Sequence, residues 1–254
     1  MSILISGDFH ANVDHELSLV TKKALIKKYT YEKFNKINYH IILGDGGFLW
    51  HGNKKTDIYN YKVLAYRSFP VLCVIGNHEP ILGKKNIPEV DIGIGEKVYQ
   101  IQSKPFVAYL KRGKVYYIDG IKFLVLGGAL SIDKDGRIPN ISWWENEYWL
   151  QEERVEIFNL LETNNTFDYV LSHTGPGHIN ANIKPFHEIK PFVPIIFDEV
   201  AALNETIDSF ITCKQWFCGH WHRDQYFYDK DAKRSYQYLY RKTALINGSE
   251  IEVL

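Results

Sequence analysis

Short apolar runs alternate along this chain with longer stretches in which apolar residues recur at helical spacing. Five of the apolar runs predict buried strands, because each is short and is bounded by Gly, Asn or His. These runs are Ser2–Ser6, Tyr39–Leu43, Val71–Ile75, Tyr169–Ser172 and Gln215–Cys218. Since helical patterns lie between several of them, the pattern indicates an α/β protein.

Three helices are predicted from the helical spacing. The first begins at Asn12, a suitable N-cap, and lies between the first two strands. The second begins at the capping-box pattern of Ser142 and Glu145 and ends near Leu161. The third begins after Asp198. The apolar faces are Val13, Leu17, Val20 and Ala24 in the first helix, and Val200, Leu203, Ile207 and Phe210 in the third.

Two β-hairpins are predicted at Asp119-Gly120 and Asn247-Gly248, because such dipeptides favour turns that match the twist of paired strands. The first joins Lys114–Ile118 to Ile121–Leu126, and the second joins Thr243–Ile246 to Ser249–Val253. The alternating Tyr236, Tyr238 and Tyr240 predict another strand. With hairpins late and helices early, we expect two mixed sheets with helices outside them.

Residues 84–113 and 175–194 are rich in Pro, Gly, Asn and Lys, and we interpret them as loops that border the site and influence substrate choice. The chain contains no repeat, low-complexity tract or flexible linker. We therefore expect residues 1–254 to form a single domain.

The composition narrows the class of protein. Apolar residues make up 45% of the chain, enough for a sizeable core, and 30 basic residues balance 30 acidic ones. Net charge therefore does not indicate a nucleic-acid or membrane partner, although a local basic groove is compatible with a neutral total. Three cysteines without a framework spacing favour reduced thiols, and residues 1–7 lack a signal-peptide pattern. We expect a cytoplasmic protein.

Residues of metal-ligand type follow each of the five predicted strands. The five segments are Asp8-Phe9-His10, Gly44-Asp45, Gly76-Asn77-His78-Glu79, Ser172-His173 and Gly219-His220-Trp221-His222. Since sites of α/β sheets lie at the carboxyl ends of strands, we expect these side chains to converge. Carboxylate oxygen and imidazole nitrogen suit manganese, iron or zinc better than calcium. Gly44 allows a close approach of the backbone.

Residues two apart in an extended strand point the same way, so Asp8 with His10, and His220 with His222, are each expected to reach one ion. Every segment also has a plain structural explanation, such as a loop, or a turn at Asp45 or Asn77. Five such segments in one order favour a functional site.

The order D-x-H, G-D, G-N-H-E, H, G-H-x-H resembles the calcineurin-like metallophosphoesterase superfamily, from Asp8 to His222. The resemblance implies a four-layer α/β/β/α sandwich with two mixed β-sheets and two divalent transition-metal ions, with manganese favoured and iron, zinc or nickel as alternatives. It implies that one metal is bound by Asp8, His10 and His222, the second by Asn77, His173 and His220, and both by Asp45. It also implies that His78 is catalytic, with Glu79 orienting it.

The implied activity is hydrolysis of phosphate mono- or diesters, by attack of a metal-bridging hydroxide with His78 as general acid. Two alternatives remain open at this point. One is a DNA or RNA phosphodiesterase with a local basic groove. The other is a catalytically silent metal-binding scaffold on the same fold, although such a scaffold has no need of His78.

The chain departs from one branch of this superfamily after Gly44-Asp45. Phosphoprotein phosphatases carry a phosphate-gripping arginine shortly after this dipeptide, whereas Gly46, Gly47 and Phe48 follow here. This departure disfavours a serine/threonine phosphatase. We predict that the phosphate contacts come instead from Arg137 or His51. The physiological ester, the native metal and the oligomeric state are left open by the sequence.

Overall fold

Two β-sheets lie face to face in the computed structural model, which describes residues 1–10, 21–49, 57, 69–80, 82–183 and 198–254. In chain order the strands are β1 (Ser2–Ser6), β2 (Ile37–Ile42), β3 (Val71–Cys73), β4 (Glu89–Val90), β5 (Val98–Ser103), β6 (Phe106–Tyr109), β7 (Lys114–Ile118), β8 (Ile121–Val125), β9 (Tyr169–Leu171), β10 (Gln215–Cys218), β11 (Gln225–Asp229), β12 (Arg234–Tyr238), β13 (Thr243–Asn247) and β14 (Glu250–Val253). The first sheet has the order β14-β13-β1-β2-β3-β6-β5-β4, and the second has the order β11-β12-β10-β9-β8-β7.

Both sheets are mixed, with parallel strands in the middle. In the first sheet β1, β2, β3 and β6 are parallel neighbours, and in the second sheet β8, β9, β10 and β12 are. Antiparallel strands complete the edges, with β13 pairing β1 and β11 pairing β12. The carboxyl ends of β1, β2 and β3 therefore lie side by side, as do those of β9 and β10.

The helices cover the outer faces of the sheets. They are α1 (Lys22–Asn35), α2 (Gln151–Thr163), α3 (Gly177–Asn180) and α4 (Glu199–Phe210). Along β1, Ile3 and Ile5 belong to the core between the sheets, whereas Leu4 packs in a second core with Leu25 and Tyr29 of α1. A third core joins the outer face of the second sheet to α2 and α4. These four layers confirm the α/β/β/α sandwich.

Most of the predicted elements are present. Asp198 caps α4 by accepting hydrogen bonds from the backbone amides of Val200 and Ala201, and the predicted apolar face of α4 is buried except for Phe210, which is 58% exposed. Both hairpins form at the predicted turns. Tyr240, however, lies beyond the end of β12.

The helix predicted to open at Ser142 begins later, at Gln151. Ser142 instead accepts a hydrogen bond from the amide of Ile138, and a short 3-10 turn spans Glu145–Glu147. The reason is that the Glu147 side chain is completely buried, which turns the chain inward before α2. The cap of α2 comes from Glu153, whose side chain accepts a hydrogen bond from the amide of Leu150.

The interpretation of residues 84–113 as a loop is wrong, because this stretch contains β4, β5 and β6. Pro88, Pro105 and two glycines divide its apolar positions into short groups, yet Val98, Val107 and Tyr109 are buried. The described part of residues 175–194 contains α3. Asn12, Val13, Leu17 and Val20 of the first predicted helix lie outside the described residues, and the observed α1 is capped by Thr21.

Two further observations bear on composition. Cys73, Cys213 and Cys218 are free and buried, as their number and spacing predicted. Within the described ranges, no helix combines the length and the apolar character that crossing a bilayer requires.

Candidate metal centre

Five strand ends meet at one edge of the sandwich. The ends of β1 and β2 are joined because the amides of Phe9 and His10 both donate to the Asp45 carbonyl, at 3.1 and 2.9 Å. The ends of β9 and β10 are joined by the amide of Gly219, which donates to the His173 carbonyl at 2.9 Å. The two sheets therefore present their ligand-type residues to a common space, as the sequence predicted.

Asp8 and Asp45 form the centre of this space. Both are buried, and each uses one carboxylate oxygen to accept a backbone amide: Asp8 Oδ1 from His220 at 2.9 Å, and Asp45 Oδ1 from His78 at 3.0 Å. The other oxygen of each, Oδ2, is buried and has no well-formed hydrogen bond within the described residues. Buried carboxylate oxygens beside several imidazole nitrogens fit a bound cation, since an uncompensated buried charge is costly.

His10 and His222 complete one group of ligand atoms around Asp8. His222 Nε2 lies 3.3 Å from Asp8 Oδ2 and 2.8 Å from His10 Nε2, and His10 Nε2 lies 3.7 Å from Asp8 Oδ2. The ligand atoms of these three residues all lie within 4.8 Å of one another. This is the set that the family resemblance implied for the first metal.

A second group surrounds His173. Its Nδ1 lies 2.6 Å from the carbonyl oxygen of Leu43, which can only accept, so Nδ1 carries a proton. In a neutral ring Nε2 then carries a lone pair and is an acceptor. It faces two further acceptor atoms, Asn77 Oδ1 at 2.9 Å and Asp45 Oδ2 at 3.3 Å. Three acceptors at these distances again fit a cation.

His220 lies beside this second group, with its ring centroid 5.0 Å from that of His173. Burial and the neighbouring His173 lower the pKa of His220 to about 3. The ring is therefore neutral at ordinary pH, the form in which an imidazole binds a metal.

Several of these residues adopt a left-handed backbone conformation. The φ angles are 47° at His10, 49° at Asp45, 66° at His220 and 50° at His222. The expectation of extended chain at His10 and at the His220-x-His222 pair is therefore wrong. Because of these turns His222 faces His10, whereas His220 packs against His173. Such strained conformations persist only where the surrounding structure holds them, and they cluster at functional sites.

Gly44 is required for the close approach of the two sheets. A Cβ atom there would lie 2.2 Å from Nδ1 of His173, and φ is +92°, a conformation that L residues avoid. The hydrogen bond from His173 to Leu43 depends on this approach, since it is made next to the glycine. Gly44 thus sets the orientation of the His173 ring.

The two aspartates also control the protonation of the histidines. Burial alone would lower the pKa of His10, but hydrogen bonds and the charges of Asp45 and Asp8 outweigh it and raise this pKa to about 10. Burial is likewise outweighed at His173, where the charges of Asp45 and Asp8 raise the pKa to about 9. The carboxylates therefore attract positive charge, whether it arrives as protons or as metal ions.

His78 and Arg137 lie together at the rim. Arg137 places one guanidinium nitrogen 2.9 Å from His78 Nε2 and another 3.2 Å from Nδ1, and His78 Nε2 lies 3.9 Å from Asp45 Oδ2. Burial and the Arg137 charge lower the pKa of His78 to about 4, against the pull of Asp45. Arg137 also pairs with Asp133 at 2.7 Å. His51, the other predicted phosphate contact, lies outside the described residues.

Within the described part of the chain, the hydrogen bonds of Glu79 are not those expected of a residue that orients His78. Its buried carboxylate accepts hydrogen bonds from the amides of Gly76 at 2.6 Å, Gly46 at 2.9 Å and Asp45 at 3.3 Å, and from the Tyr109 hydroxyl at 3.1 Å. Burial raises its pKa to about 7. Glu79 therefore ties the end of β2 to the end of β3 and so holds Asp45 in place.

Sequence reasoning missed two residues near the site, Ser131 and Glu147. Ser131 accepts a hydrogen bond from Asn77 Nδ2 at 2.9 Å and donates one to Glu147 Oε2 at 2.5 Å. No local pattern marks these residues, because their contacts depend on how the segment between β8 and α2 folds back.

The comparisons agree with this geometry. A family model of calcineurin-like phosphoesterases matches residues 1–224. The chain therefore belongs to the calcineurin-like phosphoesterase family, and its clusters of aspartate and histidine fit the divalent metals of such enzymes.

Similarity outside the family model is distant. One solved crystal structure matches all of this chain and 98% of its own, with a TM-score of 0.55 at 10% identity, which bears on the fold alone. A protein provisionally described as a 5′-nucleotidase from Staphylococcus aureus, solved with alpha-ketoglutarate, has a TM-score of 0.46 at 14% identity. This match covers all of the present chain, which spans 52% of that protein. No curated protein sequence matches significantly.

We predict that Gly44→Ala weakens metal binding, because the new methyl group displaces the His173 ring. By analogy with other losses of ligand orientation we expect a decrease of about 10- to 100-fold in manganese affinity. Gly120→Ala is the matched control, since Gly120 has a φ of +76° but open space around it. Calorimetric titration of both variants checks this, and equal manganese affinities in the two would contradict it.

We also predict that metal binding releases protons. In chelator-treated protein near neutral pH, His10 and His173 are protonated, since their pKa values are about 10 and 9. Manganese must displace these protons, so its affinity should rise with pH up to about 10. The same raised pKa values also stabilise the fold of the chelator-treated protein. This stabilisation is complete below pH 6.5 and is lost as pH rises through about 9 to 10. Titrations in buffers of different ionisation enthalpy count the released protons, and a count of zero would refute this.

Proposed function

We propose that the protein hydrolyses phosphate mono- or diesters with two divalent transition-metal ions, manganese being favoured. The observation that supports this most strongly is the position of Asp45 Oδ2, which lies 3.2 Å from His10 Nε2 and 3.3 Å from His173 Nε2. One buried oxygen is thus within reach of both groups of ligand atoms, as a bridging ligand must be.

The proposed ligands follow from these groups. Asp8, His10 and His222 bind one ion, Asn77, His173 and His220 bind the other, and Asp45 is shared. When bound, two such ions activate water and neutralise charge on the phosphoryl oxygens. The chain's own residues keep these groups buried and correctly protonated, through Glu79 on the Asp45 loop and Leu43 on the His173 ring.

Arg137 is the proposed phosphate contact. Its side chain is 12% exposed, stands against His78 and can offer paired N–H donors to phosphoryl oxygens. It would supply the positive charge that phosphoprotein phosphatases take from an arginine after the G-D segment.

His78 is the proposed general acid. Water attacks phosphorus, the bond to the leaving oxygen breaks, and His78 donates a proton to that oxygen. Burial, together with the Arg137 charge, lowers the pKa of His78 to about 4. A bound phosphate offsets the Arg137 charge, so substrate binding itself favours a protonated His78.

We predict that His78→Ala retains two manganese ions but loses turnover by about 100- to 10,000-fold, the usual contribution of a general acid. Asp45→Asn should lose both turnover and metal, because it supplies the shared oxygen. Rates are measured on an aryl phosphate monoester and the matching bis-aryl diester in excess manganese, with metal content determined in parallel. The faster ester identifies the substrate class.

Two outcomes would contradict the proposed function. The first is full turnover by His78→Ala or Asp45→Asn. The second is a wild-type protein that binds no metal and hydrolyses neither ester, which would favour a scaffold.

We predict that Arg137→Ala raises KM about 10- to 100-fold, the worth of hydrogen bonds to a charged group. The KM of Arg137→Lys should lie between those of the wild type and Arg137→Ala, because a lysine keeps the charge but cannot make the paired contact. Arg154→Ala is the control, since Arg154 pairs with Glu199 on the outer helices. Steady-state kinetics on the preferred aryl ester decides, and an unchanged KM in Arg137→Ala would rule out this phosphate contact.

A further inference from the structure

We propose that Ser131 and Glu147 are positioning residues that fix the amide of Asn77 with its oxygen, rather than its nitrogen, directed at the second metal. This inference rests on the proposed function, because it concerns a ligand of the second ion. Its starting point is that an asparagine amide has two ends of similar shape and opposite polarity, and only the oxygen can bind a cation.

The hydrogen bonds around Asn77 distinguish these two ends. Nδ2 donates to Ser131 Oγ at 2.9 Å, which leaves Oδ1 beside His173 Nε2 at 2.9 Å. With the opposite orientation, the amide group would direct its N–H bonds into the ligand cluster and its oxygen at the serine. The orientation of Asn77 therefore depends on whether Ser131 acts as acceptor or donor toward it.

Glu147 determines that role. The Ser131 hydroxyl donates its only proton to Glu147 Oε2 at 2.5 Å, and the Ser131 amide donates to the same oxygen at 3.2 Å. With its proton engaged, Ser131 Oγ offers only lone pairs to Asn77. All three side chains are buried, so water is poorly placed to substitute for any of these bonds.

Glu147 is itself held from both sides. Arg112 donates to the backbone carbonyl of Asn146 at 2.5 Å and to that of Tyr148 at 2.8 Å, and the same guanidinium pairs with Glu153 of α2. The residue before Glu147 and the residue after it are thus fixed to one buried arginine. This anchoring explains why the chain turns inward before α2, where the sequence pattern predicted a helix.

The chain of contacts from Glu147 to Asn77 reaches the second metal's ligands only. The first group, Asp8, His10 and His222, has no hydrogen bond to Ser131 or Glu147 among those observed in the described residues. Loss of Ser131 should therefore weaken one metal site and spare the other.

The test is a manganese titration of metal-free protein followed by electron paramagnetic resonance, which detects free manganese and the spin coupling of two neighbouring ions. In Ser131→Ala the first manganese should bind as in the wild type, whereas the second should bind about 10- to 100-fold more weakly. The coupled signal should then appear only at higher manganese concentration. Glu147→Leu, which removes the acceptor, should shift the second ion in the same direction.

A rescue experiment separates positioning from a general structural role. Both oxygens of an aspartate can bind a metal, so Asn77→Asp has no wrong orientation. Ser131→Ala should weaken the second manganese in the wild-type background but not in the Asn77→Asp background. Ser6→Ala is the matched control, because it deletes a buried serine hydroxyl that pairs with His40.

The inference is overturned if Ser131→Ala binds the second manganese like the wild type, or weakens it equally in both backgrounds. If Ser131→Ala does not fold, Glu147→Leu carries the same comparison in both backgrounds. If the wild type binds two coupled ions but hydrolyses neither ester, the expected aryl-ester activity fails on its own and the manganese comparison still decides the inference. A wild type that binds fewer than two ions overturns both.

Discussion

The burial of two carboxylates against each other, Asp8 and Asp45, is the constraint on which the rest of the structure depends. Two negative charges in a water-poor space are unfavourable unless positive charge is brought to them. Histidines from three different strand ends supply places for that charge, and they can do so as protonated rings or as metal ligands. The convergence of the strand ends is therefore an electrostatic requirement as much as a result of topology.

The same carboxylates also hold the backbone of the site together. Each gives one oxygen to an amide of a different strand end, Asp8 to His220 and Asp45 to His78. Glu79 adds a third connection, between the ends of β2 and β3. The left-handed residues lie within this network, which offsets their strain. Asp8 and Asp45 thus both attract positive charge and fix the loops of the site.

The sequence predicted what depends on neighbouring residues. Asp8, Asp45 and His173 directly follow apolar runs, so their place at strand ends could be foreseen, and the alternation of elements indicated the layers. Contacts between distant segments could not be foreseen. The role of Glu79, for example, follows from its hydrogen bonds to the ends of β2 and β3 and not from its position next to His78. Left-handed turns separated His220 from His222 although their spacing suggested a pair. The sequence of residues 84–113 indicated a loop because its prolines, glycines and lysines divide the apolar positions of three strands into short groups.

The pairing of β13 with β1, and of β12 with β10, has a consequence for where the functional unit ends. The family model stops at residue 224, yet the strands that flank the Asp8 strand and the His220 strand come from the segment beyond it. If the chain were cut at the family boundary, β1 and β10 would each become the edge of a sheet. Open edges invite pairing with other chains. A truncated version designed on family limits alone would keep every ligand and yet be liable to aggregate.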